Sequence, residues 1–390
     1  MSDLALAAVR AAVGARNSRY VAELQELVSI DCGSYSPSGV NQVADFVAAA
    51  LAELGGQVER TPHQPDTGEP QLGDVVVGRV PGRGPRLLLI GHMDTVFPEG
   101  TATARPFRVD GERALGPGVS DMKGGLLAGL HAIAALQAAG SSPNVTFVAN
   151  PDEEIGSPFS TSRIRELAAE HDVALVLECA RANGDIVSAR KGIADYEIRI
   201  TGRAAHAGVE PEKGRSAILE AARQVVALHE LNGRWTSVSV NTGVIAGGTR
   251  PNVVAEACRI ELDLRAATVD EFELAATEVS RIVTHPTLDG VTGELTRAAY
   301  HPPMERSAAS GRLAALATAI GGELGFAVRD AATGGASDAN TTSAAGLPTL
   351  DGLGPIGGDD HSVDEWLDLA SVVPRTTLLA GLLARIGEAL

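Results

Sequence analysis

The chain has 390 residues, 44% of them hydrophobic and only 3% aromatic, with a formal net charge of −17. That length allows two domains with aliphatic cores, and the charge argues against nucleic-acid or anionic-lipid partners. Residues 1–20 lack the apolar stretch of a secretory leader, no segment has the uninterrupted apolar length of a membrane span, and Cys32, Cys179 and Cys258 form no CxxC pair, so a cytoplasmic protein without disulfides is expected.

Helical periodicity is predicted over 21–28 and 43–54, and strands over 74–80 and 86–91. The second strand runs into Gly91-His92-Met93-Asp94, so an apolar run stops at a histidine with a carboxylate two residues later. Asp121 precedes an Ala/Leu helix predicted over 123–139. Apolar runs over 145–149 and 173–177 read as buried strands, leading to Glu153 and Glu154 and to Glu178. This alternation predicts an α/β sheet covered by helices on both faces.

From residue 191 the rhythm changes. A period-two strand at 196–200 is followed by a helix over 215–231, strands at 236–242 and 253–264, a helix over 269–283 and a strand at 291–297. In the 253–264 strand, Cys258, Ile260, Leu262 and Leu264 share one face, while Arg259, Glu261, Asp263 and Arg265 share the other. The order βαββαβ is that of a ferredoxin-like α+β domain, expected over 191–302 as an insertion into a domain made of 1–190 and 303–390. A helix over 312–324, the glycine-rich stretches at 333–338 and 354–358, His361 and a closing helix over 371–386 complete the chain.

Ligands in open α/β sheets gather at the carboxyl ends of strands, where His92, Glu154 and Glu178 are predicted to lie. With Asp121 and His361 they make two imidazoles and three carboxylates, enough to hold two zinc ions if one carboxylate bridges. Two such ions about 3.5–4 Å apart make a metal-bound hydroxide available as nucleophile and polarise a scissile carbonyl. Asp94 is better placed to orient His92 than to bind metal itself. Of the neighbours Glu153 and Glu154, one can bind metal while the other serves as general base. No strand leads into GxGxxG and no GxSxG is present, which argues against a nicotinamide dehydrogenase and a serine hydrolase.

The segments Gly91-His92-Met93-Asp94-Thr95-Val96, Gly116-Pro117-Gly118-Val119-Ser120-Asp121-Met122-Lys123-Gly124-Gly125 and Pro151-Asp152-Glu153-Glu154-Ile155-Gly156-Ser157 resemble the M20 family of zinc peptidases, most closely its glutamate carboxypeptidase branch. The resemblance implies a mixed-sheet, zinc-exopeptidase-type catalytic domain with an inserted lid and dimerisation domain, and two Zn2+ per subunit, for which Co2+ or Mn2+ can substitute. It implies that Asp121 bridges, that His92 and Glu178 complete one ion and Glu154 and His361 the other, and that Glu153 is the base and Asp94 the orienting carboxylate. A cis peptide at Asp121–Met122 also follows. His206, in Thr201-Gly202-Arg203-Ala204-Ala205-His206-Ala207-Gly208, matches a histidine that stabilises the tetrahedral intermediate, from the partner subunit in several members, so a homodimer follows by resemblance.

Asn252 and Arg265 match substrate-contacting positions, and Gly334 and Gly335 match a loop beside the site whose amides can hold a carboxylate. The chain departs from the branch at His301, where an arginine before proline binds the substrate's carboxylate. The expected function is hydrolysis of an amide next to an amino acid with a free carboxylate, in a peptide or N-acyl amino acid. An N-acyl-amino-acid or N-carbamoyl amidohydrolase would share every catalytic residue. An inactive scaffold homologue would have lost a ligand or the base, and here all those positions are filled.

Overall fold

The computed structural model describes residues 5–390, which form two compact units with separate hydrophobic cores. The first comprises the described residues up to Ser188 together with Arg306–Ala332 and Ser337–Leu390; the second comprises Ala189–Glu305 and Thr333–Ala336. The short stretch Thr333–Ala336, expected in the first domain, clusters with the second. Arginines hold it there: Arg265 Nη1 donates to the Gly334 carbonyl at 2.9 Å and Arg190 Nη1 to that of Gly335 at 3.2 Å.

The first unit is built on a six-stranded mixed sheet. Its strands are β1 (Gln57–Thr61), β2 (Val75–Val80), β3 (Arg83–His92), β4 (Pro143–Asn150), β5 (Val173–Val176) and the short Thr349–Leu350. They lie in the order β1, β2, β4, β3, β5, Thr349–Leu350. β3, β4, β5 and the last strand are parallel, while β2 runs antiparallel to both β1 and β4. Successive residues Leu87, Leu88, Leu89 and Ile90 are all buried, so both faces of β3 are covered, as the unbroken apolar run predicts.

The helix Gly124–Ala138 is buried from Gly124 through Leu136, and two of its glycines let it press on the sheet. A Cβ on Gly125 would stand 1.8 Å from the Leu177 carbonyl oxygen, and one on Gly129 would stand 2.7 Å from both the Leu177 and Phe147 side chains. The Gly125 contact is backbone against backbone and cannot be relieved by a rotamer change. We expect Gly125→Ala to cost at least about 3 kcal/mol, read from denaturant unfolding. Turnover should fall with it, because Leu177 is joined to Glu178.

The helix Leu369–Arg385 is long and apolar enough, with its 3-10 extension, to cross a membrane by length and composition. Here it lies mostly buried in the first unit's core. It also carries the buried Arg375, whose guanidinium donates to the carbonyls of Gly184, Gly352 and Gly354 at 2.6–3.1 Å. A second small sheet joins Arg108–Asp110, Arg113–Leu115, Gly357–Gly358 and Trp366–Asp368.

The second unit has strands β6 (Gly192–Thr201), β7 (Ser239–Gly247), β8 (Ala257–Ala266) and β9 (Thr292–His301), with helices Ala217–His229 and Val269–Thr284. The sheet order is β7, β8, β6, β9, antiparallel throughout, the arrangement that βαββαβ connectivity gives in a ferredoxin-like fold. Cys258, Ile260, Leu262 and Leu264 are buried with Ala194, Tyr196, Ile198 and Ile200, the face that alternation marked as apolar. β8 begins at Ala257, later than predicted, because the preceding backbone pairs elsewhere: Val254 N–H donates to Ala205 and the Glu256 carbonyl accepts from Gly202.

Candidate metal centre

Three neighbouring parallel strands end at one edge of the first unit's sheet, and each delivers an acid or imidazole there. β3 ends on His92 itself, β4 ends at Asn150 just before the 3-10 turn Glu153–Ile155, and β5 ends at Val176 just before Glu178. His92 pairs with Asn150 in register, and Ile90 with Val176. The parallel register thus brings Glu153, Glu154 and Glu178 to His92 despite their separation in sequence.

Asp121 arrives from the tight turn Val119–Lys123, entered through Gly118 at φ 72°, and its peptide bond to Met122 is cis. His361 comes from the loop between Gly357–Gly358 and Trp366–Asp368, with φ 62°. One carboxylate touches both imidazoles: Asp121 Oδ1 is 2.9 Å from His92 Nε2, and Oδ2 is 3.1 Å from His361 Nε2. His361 Nε2 is also 3.1 Å from Glu154 Oε2, and His92 Nε2 is 3.8 Å from Glu178 Oε1. The donor atoms of His92, Asp121 and Glu154 lie within 4.8 Å of one another, as do those of His92, Glu153 and Glu178.

Asp94 is buried beneath this cluster. Its carbonyl oxygen lies 3.0 Å from His92 Nδ1; a carbonyl can only accept, so Nδ1 carries the proton and Nε2 faces the other ligands. The Asp94 carboxylate accepts the backbone N–H groups of Glu153 and Glu154, both at 3.1 Å, and the Ser34 hydroxyl at 2.6 Å. Ser34 and Glu365 were not legible in the sequence: a lone serine in a loop carries no pattern, and Glu365 lies past the last histidine in no recognisable motif. Glu365 accepts from the N–H groups of Gly118, Ser120 and Asp121 at 2.8–3.1 Å.

The electrostatics of the cluster fit a cation. Burial drives Glu153 well above the usual carboxylate range and raises Glu154. Burial also opposes ionisation of Asp121, but its hydrogen bonds to His361 and His92 win and hold it below that range. Asp121 and Glu154 in turn push His361 up to about 11. Glu154 Oε1 is buried without a hydrogen-bond partner. Carboxylates in such a place must be neutralised, by protons or by metal. Imidazole nitrogen with carboxylate oxygen, and no thiolate in either donor group, is a set that suits zinc.

The remaining predicted residues lie in the second unit. His206 is exposed, with Nδ1 accepting the Gly208 N–H at 3.1 Å, and Ala207 N–H donates to the carbonyl of the exposed Asn252 at 3.0 Å. Arg265 is not a free cation: it grips Asp263 through Nε and Nη2 at 2.9–3.1 Å as well as the Gly334 carbonyl. The glycine loop, expected to offer amides, presents the carbonyls of Gly334 and Gly335 to Arg265 and Arg190. His301 ends β9 opposite Ile193, half-buried, and burial lowers its pKa.

Residues 88–385 match the family model described as peptidase family M20/M25/M40. The chain is 31% identical over 373 residues to carboxypeptidase G2 of Pseudomonas sp. (strain RS-16), covering 93% of this chain and 88% of that protein. It is also 31% identical over 259 residues to an acetylornithine deacetylase of Myxococcus xanthus, covering 63% of this chain and 66% of that one. A tripeptidase structure from Staphylococcus aureus subsp. aureus mu50 shares the fold at a TM-score of 0.78 and 20% identity, over 95% of this chain and 99% of that one. The chain belongs to peptidase family M20/M25/M40 and is a metal-dependent hydrolase.

Proposed function

We propose that this chain is a two-zinc hydrolase cleaving an amide bond next to an amino acid with a free carboxylate, in a peptide or an N-acyl amino acid. The observation that carries this reading is the contact of Asp121 with both imidazoles through separate oxygens, the arrangement a bridging ligand needs. His92, Asp121 and Glu178 would hold one ion, and Asp121, Glu154 and His361 the other. Bound there, the pair would supply an attacking water that ionises near neutral pH and a Lewis acid for the scissile carbonyl.

The protein's own groups would do the rest. Glu153 takes the proton from the attacking water and returns it to the leaving nitrogen. Asp94 fixes the His92 tautomer through its carbonyl and the Glu153-Glu154 turn through its carboxylate. His206 donates a hydrogen bond to the carbonyl oxygen as negative charge builds, and Asn252, Arg265, His301, Gly334 and Gly335 contact substrate. The names of two similar proteins, a carboxypeptidase and an acetylornithine deacetylase, support this class of bond.

A second reading, an N-acyl-amino-acid or N-carbamoyl amidohydrolase, is favoured by His301. Burial lowers its pKa, so it carries little charge at neutral pH where the glutamate carboxypeptidase branch has an arginine. Mass-spectrometric screening of the metal-loaded enzyme against dipeptides, N-acyl-amino acids and N-carbamoyl-amino acids separates the readings. Turnover of carbamoyl compounds alone would make the peptidase reading wrong, and turnover of none would sink both.

The chain is further proposed to be a homodimer in a reducing cytoplasm, the latter supported by its three free cysteines. Support for the dimer lies in the second unit. Strand β7 is an edge strand with Val244 and Ile245 exposed, and the neighbouring helix Ala217–His229 exposes Ile218, Leu219 and Val226. We expect the wild type to sediment as a dimer and Val226→Asp with Ile245→Lys as a monomer; a monomeric wild type overturns the proposal.

A further inference from the structure

The turn that carries Asp121 is held by a side chain that is not part of the donor cluster. Glu365 is 1% exposed. Its Oε2 accepts from Gly118 N at 2.8 Å, and its Oε1 accepts from Ser120 N at 2.9 Å and from Asp121 N at 3.1 Å. Three N–H groups of one turn pointing inward make a concave anion site. Without an acceptor they would be buried and unpaired, which native backbones avoid.

Glu365 also stands close in sequence to the other side of the cluster, four positions after His361. The segment just after it is anchored, since Trp366–Asp368 pairs with Arg113–Leu115 and with Gly357–Gly358. A single carboxylate therefore ties the loop bearing His361 to the turn bearing Asp121, across 244 positions of sequence between Glu365 and Asp121. Asp121 can face both imidazoles only if that turn is fixed relative to both. A neutral amide could not accept from all three N–H groups, because one of its arms is itself a donor.

We propose that Glu365 is a positioning residue for metal binding, which sets the Gly118–Asp121 turn so that Asp121 presents one oxygen to each imidazole. This rests on the two-metal reading. Outer groups of this kind typically change metal affinity about 10–100-fold.

The test uses the full chain stripped of metal and titrated with Co2+, whose d–d absorption reports ligand geometry, with a competing chelator to obtain dissociation constants. For Glu365→Gln we expect both Co2+ constants to weaken about 10–100-fold and the spectrum to change. The metal-free variant should still unfold cooperatively, with a midpoint somewhat below that of the metal-free wild type because one buried N–H then meets an amide donor, and activity should return at excess Co2+. Unchanged Co2+ constants overturn the proposal, as does a lowered metal-free midpoint with affinity intact, which is a purely structural role.

Amide hydrogen exchange in the metal-free wild type needs no variant. Protection at Gly118, Ser120 and Asp121 before any metal is added supports a pre-set turn, and protection that appears only with metal overturns it. A wild type that takes up no Co2+ refutes the two-metal reading and this proposal with it. A wild type and variant that bind Co2+ equally well refute the proposal alone.

Discussion

Glu153→Ala should lower kcat by about 10²–10⁴-fold, the usual worth of a general base, while two metal ions per chain are retained. The second half of that expectation decides the role. Glu153 reaches the cluster closely enough for its donor atom to group with those of His92 and Glu178, so geometry alone would also let it be a ligand. Its surroundings favour the base. Burial holds its proton affinity well above that of an ordinary carboxylate, which suits a group that must take a proton and give it back near neutral pH. Its backbone is pinned by Asp94 at 3.1 Å, so substitution should leave Glu154 in place. Metal analysis beside turnover is the measurement. An active variant refutes the role, and an inactive variant that has lost one ion makes Glu153 a ligand instead.

What the sequence made legible follows from local rules. An apolar run that stops at His92, and others that stop before Glu153 and Glu178, announce buried strands with polar groups at their carboxyl ends. Parallel pairing then brings those ends together without further information, as the His92–Asn150 and Ile90–Val176 registers show. The alternation of Cys258, Ile260, Leu262 and Leu264 with charged residues likewise marks one buried face, because the side-chain period of a strand is two.

The parts that were not legible either depend on distant partners or carry no apolar pattern of their own. Strands of two or three residues, such as Gly357–Gly358 and Trp366–Asp368, are too short to carry a period and exist only through pairing, the first with the second and the second also with Arg113–Leu115. Strand β1 is almost wholly exposed, so Gln57-Val58-Glu59-Arg60-Thr61 shows no apolar face to read. The helix Ala308–Leu324 starts earlier than its periodicity suggests because Ser307 caps it, accepting from Ser310 N at 3.0 Å. The engagement of Arg265 with Asp263 and Gly334 could not be foreseen either: an arginine on the polar face of a strand reads the same whether free or paired. Chemistry written into chain punctuation was therefore visible, and the side-chain contacts that engage Arg265 were not.

Asp121→Ala should remove more than any other single ligand change, because among the described residues it is the one side chain within hydrogen-bonding distance of both imidazoles, at 2.9 and 3.1 Å. Each ion would lose a ligand at once, whereas Glu154→Ala would strip only the His361 side and leave His92 and Glu178 together. Binding to the folded state stabilises it by RT ln(1 + [L]/Kd), about 2.7 kcal/mol for each independent site at a hundredfold excess over Kd. Adding Zn2+ to the metal-free wild type should therefore raise its unfolding midpoint, with Glu154→Ala showing a smaller rise and Asp121→Ala almost none. Turnover should follow the same order, with Asp121→Ala inactive even at excess metal. If Asp121→Ala kept the full metal-dependent rise, the bridge would have to be another carboxylate. Glu153 would then be the group to re-examine, since it already shares a donor cluster with His92 and Glu178.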